Sequence, residues 1–146
     1  MLMIESRQIA WWYWLATVCL LSAGLAGVPF AFACAIALTA WQAIHFALRC
    51  GSATAFPVQV RFFYMLLLIV SLPAPMRPLY WLPTIGTWAQ VLFGYCLMAR
   101  SVSLLPWNRL APLSWPLVRR TFFSRPVRGS VLQGLSGVPR AAAPAK

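Results

Sequence analysis

The sequence predicts an all-α integral membrane protein with about four transmembrane helices in two tight hairpins. A basic C-terminal tail follows, interfacial at first and partly disordered at its end. Three observations carry this. Hydrophobic residues make up 62% of the chain and charged residues only 9%, where a soluble domain carries roughly a quarter charged residues. The apolar residues fall in runs of about twenty, the length that spans a bilayer at 1.5 Å rise per residue. Twelve residues are Lys or Arg against a single acidic one, Glu5, and eight of the twelve lie from Arg100 onward.

Residues 1–8 form a short cytoplasmic segment. The predicted transmembrane domain covers residues 9–100. Its first helix, 9–27, opens with Trp11, Trp12, Tyr13 and Trp14, side chains suited to the headgroup level. A signal peptide is the competing reading of this run, and Ala31-Phe32-Ala33-Cys34 faintly resembles a lipoprotein cleavage box. Glu5 offsets Arg7 in the leading segment and bulky aromatics open the apolar run, so an uncleaved helix is expected. Gly27, Val28 and Pro29 make a tight turn into the second helix, 29–48, which stops at Arg49.

Gly51 to Ala55 is a polar linker in which Ser52 and Thr54 offer capping hydroxyls, and Pro57 suits a first helical turn. The third helix, 57–72, is the shortest, because Arg61 interrupts its apolar face. The Arg61 stem is long enough to carry its charge back to the headgroups. Pro73, Pro75 and Pro78 end that helix and build a compact loop. The fourth helix, 79–99, begins with Tyr80 and Trp81 at the outer edge and closes at Arg100.

The tail divides in two. Residues 101–123 read as an interfacial amphipathic segment, broken by Pro106, Pro112 and Pro116, with Trp107 and Trp115 as anchors and Arg109, Arg119 and Arg120 at headgroups. Residues 124–146, with Arg125 and Arg128, read as a flexible basic end. With both termini inside, eleven of the twelve Lys and Arg residues lie on the cytoplasmic side and only Arg77 lies opposite. That asymmetry predicts a multi-pass protein of a bacterial inner (plasma) membrane with both termini cytoplasmic.

Polar residues are costly inside a bilayer, so they mark the candidate site. Gln42, His45 and Arg49 share one face of the second helix, with Trp41 placed to lie against the imidazole. Thr87, Gln90 and Gly94 repeat the spacing on the fourth helix. Two such stripes can face each other as helix–helix glue. Alternatively, His45 contacts a haem, a pigment or a quinone. A single His per chain means that a bis-His haem would need a second subunit. A third reading lines a small oligomeric channel or carrier with the two stripes.

The absent residues exclude more than the present ones assign. There is no Asp, and Glu5 precedes the first helix. A proton-coupled multidrug pump, acid–base hydrolysis by paired carboxylates and a multi-ligand metal site all lack their groups. Cys19, Cys34, Cys50 and Cys96 form no CxxC pair and read as small apolar packing residues. No reaction and no cofactor is assigned. The expected function is a non-enzymatic accessory or assembly subunit of a larger membrane complex. Its partners are anionic lipid headgroups at the tail (Trp107, Arg109, Trp115, Arg119, Arg120, Arg125, Arg128) and other membrane subunits or a second copy. Nucleic acid is disfavoured by the aromatics among the tail arginines.

Overall fold

The computed structural model describes residues 9–109 and 111–125, and all of its regular secondary structure is helical. The predicted N-terminal segment 1–8 and most of the predicted flexible tail, Arg128 included, lie outside the described residues. The helices are α1 (Ile9–Leu25), α2 (Ala31–Cys50), α3 (Phe56–Val70), α4 (Trp81–Phe93), α5 (Leu97–Ser103) and α6 (Trp115–Phe123), with a 3-10 helix at Ala74–Tyr80. Of these, α2 alone is both long and apolar enough to cross a membrane, and α1 and α3 are shorter apolar helices.

The turn from α1 to α2 depends on two glycines. Gly27 has φ +105°, a conformation that costs a side-chain-bearing residue energy. A Cβ on Gly24 would stand 2.6 Å from the Phe32 ring, so its absence lets that ring lie against α1. Phe32 in turn stacks on Tyr80 with ring centroids 3.8 Å apart, and the Tyr80 hydroxyl donates to the Leu68 carbonyl. Tyr80 is therefore fully buried and ties α1, α2, α3 and the 3-10 segment together, while Trp81 stays exposed. Of the two aromatics expected at an outer edge, Tyr80 instead belongs to the core and Trp81 is exposed.

At the other end, Gly51 closes α2 in the left-handed conformation with φ 66°. Ser52 and Thr54 do not cap α3, which starts after Ala55 with no side-chain cap. Their hydroxyls bond each other at 2.9 Å and fold the linker on itself.

The fourth run is the main correction to the predicted layout. Residues 79–99 are not one helix: a 3-10 segment leads into α4, which ends at Phe93, and the chain restarts as α5 at Leu97. The cause is Gly94, which adopts φ 73° as the left-handed cap of α4. The Tyr95 amide turns back to the Ala89 carbonyl, and Trp11 Nε1 donates to the Val91 carbonyl at 3.2 Å. Backbone groups freed where a helix breaks need such partners. Helix α5 also runs through the expected start of the tail at residue 101.

The core lies where α1 packs on α2 and α4 and where α3 packs on α2 and α5. Trp14, Val18 and Leu21 of α1 meet Ala35, Tyr64, Leu68, Val91 and Val102 there. Trp14 and Tyr64 make an edge contact at 5.0 Å, a favoured geometry for two rings. Thr17, Thr39, Gln42, Thr84 and Thr87 are also buried, while Phe30, Trp41, Leu48, Phe62 and Ile85 are exposed.

Candidate functional site

Polar groups on α1 and α2 form a short ladder. Helical spacing sets Tyr13 and Thr17 one turn apart on α1, and Gln42 and His45 one turn apart on α2. The Tyr13 hydroxyl lies 2.8 Å from His45 Nδ1. Gln42 Nε2 donates to Thr17 Oγ1 at 3.0 Å, and that hydroxyl donates to the Tyr13 carbonyl at 2.8 Å. Thr17 is thereby satisfied both ways. Gln42 is not: it is fully buried, and its Oε1 has no partner among the described residues.

His45 is half-buried, with Tyr13 edge-on at 5.7 Å and Phe46 tilted at 5.6 Å. Trp41 is 59% exposed rather than buried beside the imidazole. Its position four residues before His45 did not decide its direction; Tyr13 from α1 and Phe46 from α2 take the imidazole contacts. Arg49, in the last turn of α2, is exposed and makes no bond to the ladder. Its charge there complements the C-terminal end of the helix dipole.

A second polar contact joins α3 to α4. The Tyr64 hydroxyl pairs with Thr87 Oγ1 at 2.5 Å, and Thr87 donates to the Pro83 carbonyl. Gln90 is half-buried and borders a cleft of about 90 Å³ together with Tyr64, Thr87 and Cys96. The stripes on α2 and α4 therefore do not hydrogen-bond each other. Gln42 uses Thr17 of α1, and Thr87 uses Tyr64 of α3. The sequence marks Tyr13 only as a headgroup-level aromatic and does not single out Thr17 or Tyr64. Among them only the one-turn spacing of Tyr13 and Thr17 offered a signal.

Arg61 lies inside rather than at a headgroup. It is 4% exposed, with its guanidinium 3.6 Å from the Phe46 ring centroid and 5.5 Å from that of Trp14. Nη1 donates to the Pro57 carbonyl one turn back, and Nε has no acceptor among the described residues. No carboxylate lies among the described residues, and cation–π attraction favours the charge there. No group of three or more potential metal ligands occurs among the described residues.

The tail is built onto the bundle through three side chains. Gln59 Oε1 on α3 accepts from Trp107 Nε1 at 3.0 Å and from Asn108 Nδ2 at 2.7 Å, which fixes the segment before Arg109. Arg100, almost fully buried, donates to the Thr121 carbonyl, to Ser124 Oγ and to the Arg125 carbonyl, with its charge 4.1 Å from the Tyr95 ring centroid. The Tyr95 hydroxyl donates to the Phe122 carbonyl at 2.8 Å. Together they close the C-terminal end of α6, where free carbonyls and the helix dipole favour a cation. Ser114 caps the other end by accepting from the Leu117 amide. Arg100 is thus a clamp for α6. Trp115, Arg119, Arg120 and Arg125 are exposed, and Arg109 is half-buried.

Comparison with protein-family models, curated proteins and solved structures gives no match for this chain, so its function has to be argued from the residues just described.

Proposed function

We propose that the chain is a four-pass membrane protein with both termini cytoplasmic, acting as a non-enzymatic accessory or assembly subunit of a larger inner-membrane complex. The observation that carries this is the number of large apolar side chains left outside a core that is itself partly polar. Thr17, Thr39, Gln42, Thr84 and Thr87 face the interior, while Phe30, Trp41, Leu48, Phe62, Ile85 and Phe93 face outward. In water that arrangement exposes large apolar area, which is unfavourable. In lipid it is the stable arrangement, because polar and small side chains hold the helices together and apolar ones meet acyl chains.

The four passes would be α1, α2, α3 and the stretch from Leu79 through α4, with the earlier part of the 3-10 segment as the outer connection. At 1.5 Å per residue the 17 residues of α1 reach about 25 Å and the 15 of α3 about 22 Å. Local bilayer thinning and flanking aromatic and basic side chains accommodate such a shortfall. The eleven-to-one split of basic residues supports the orientation. The subunit reading rests on the outward aromatics and on the lack of any assembled catalytic set among the described residues. Purification in mild detergent followed by mass spectrometry tests it. The expected result is a stoichiometric membrane partner, and a chain that migrates alone would contradict the reading.

One observation favours a second reading, in which His45 contacts a haem, pigment or quinone. Tyr13 engages Nδ1 and so fixes the ring, leaving Nε2 for a ligand. An absorption spectrum and a quinone extraction of the purified protein decide this. No Soret or pigment band and no quinone would end it.

A further inference from the structure

The outer face of α6 is built differently from the rest of the bundle surface. Its inner face, Leu117, Val118, Thr121 and Phe122, is wholly or half buried against the chain. Outward, Trp115, Arg119 and Phe123 form one row at intervals of four residues; Pro116 and Arg120 form the next, with the half-buried Ser124, held by Arg100, at its end. These two rows line an open trough of about 470 Å³. An arginine stands in the middle of each row, and exposed rings stand at both ends of one: Trp115 is 78% and Phe123 86% exposed. The chain's one acidic residue, Glu5, lies outside the described residues, so neither guanidinium has a carboxylate among them.

From this geometry we infer that α6 is a receptor for anionic glycerophospholipid. The headgroup phosphate sits between Arg119 and Arg120, and the rings of Trp115 and Phe123 lie at the boundary between headgroup and acyl chain. The inference rests on the membrane reading above. Guanidinium groups pair with phosphate oxygens by strong charge-assisted hydrogen bonds. Exposed Trp and Phe are costly in water and favourable at the headgroup layer. An acidic protein would also pair with the arginines, and the test below separates it from lipid. The Arg100 and Tyr95 clamp holds α6 against the bundle just after the last proposed span, so the trough is presented at fixed depth instead of on a loose tail.

Full-length protein in mild detergent is titrated with phosphatidylglycerol and, separately, phosphatidylcholine, and bound lipid is counted by native mass spectrometry. The expected result is a preference for phosphatidylglycerol that falls about fivefold per arginine removed, so about twenty-fivefold in Arg119→Gln/Arg120→Gln. Arg119→Lys/Arg120→Lys should keep most of the preference, and Arg49→Gln should leave it unchanged. Equal binding of the two lipids overturns the inference, as does an undiminished preference in the double Gln variant. Displacement of phosphatidylglycerol by millimolar inorganic phosphate, or an acidic protein retained through these arginines with no lipid preference, overturns it too. Alkaline carbonate extraction of membranes from the same cells separates the two levels of the argument. Release of wild type and variant alike would break the membrane reading, while retention of both with no lipid preference would break this inference alone.

Discussion

Replacing Arg100 with Met should release α6 from the bundle while leaving the helices before it in place. Met matches much of the stem of Arg100 but removes every donor. The Thr121 and Arg125 carbonyls and Ser124 Oγ then lose their shared partner, and the charge against Tyr95 disappears. Hydrogen bonds to a charged group contribute about 1.5–3 kcal/mol each, and bonds sharing one guanidinium do not add fully. A net loss of about 3 kcal/mol is a reasonable figure, because the Tyr95 bond to Phe122 and the packing of Leu117 and Val118 remain. Since 1.4 kcal/mol is tenfold, the population with α6 detached should rise by a factor on the order of 100. Limited trypsin digestion reads this directly, because cleavage after Arg119 and Arg120 requires the helix to open and its rate follows the open population. Arg49→Met serves as the control, since Arg49 is exposed and bonds nothing in the tail. Cleavage of the Arg100→Met protein within twofold of wild type would show that the clamp does not hold α6 and would refute the reasoning.

Other perturbations probe the bundle. Gln42→Leu removes one bond to Thr17 and also removes a buried acceptor with no partner, so stability in detergent should change by less than about 1 kcal/mol. A loss well beyond that, read by thermal unfolding, would mean that Oε1 has a bound partner. Gly94→Ala forces a side chain into a left-handed backbone and should cost about 1–2 kcal/mol, seen as a lowered unfolding temperature. An unchanged temperature would mean that the break between α4 and α5 is not fixed by Gly94. His45→Ala should weaken the α1–α2 contact by roughly 0.6 kcal/mol, the usual scale of a hydrogen bond between membrane helices. If wild type is coloured, the same substitution should leave the bundle folded and colourless.

The helical class and the bounds of the first three helices were legible because runs of apolar residues between Gly27, Gly51 and Pro73 leave few alternatives. The break in the fourth run was not, because Gly94 lies within an apolar stretch where a glycine is compatible with a continuing helix. Only its left-handed backbone, together with Trp11 reaching Val91 from the other end of the chain, stabilises the interruption. The candidate site was half legible. Helical spacing identified Gln42 and His45 as one stripe and Thr87 with Gln90 as another. Their partners, Thr17, Tyr13 and Tyr64, depend on which helices pack together, and periodicity within one helix carries no such information. The same limit applies to charge. Counting arginines along the sequence gives orientation but treats Arg61, Arg100 and Arg119 alike. In the fold the first lies against Phe46, the second closes a helix end, and only the third faces outward.

A topology reporter active only outside the cytoplasm tests the central claim most directly when fused after Met76, in the 3-10 segment between α3 and α4. The four-pass account predicts activity there, and none for fusions after Ser52 or after Arg125. A fusion after Met76 that reads cytoplasmic would contradict it, because α3 would then not cross and the interior polar ladder would need another solvent to explain it.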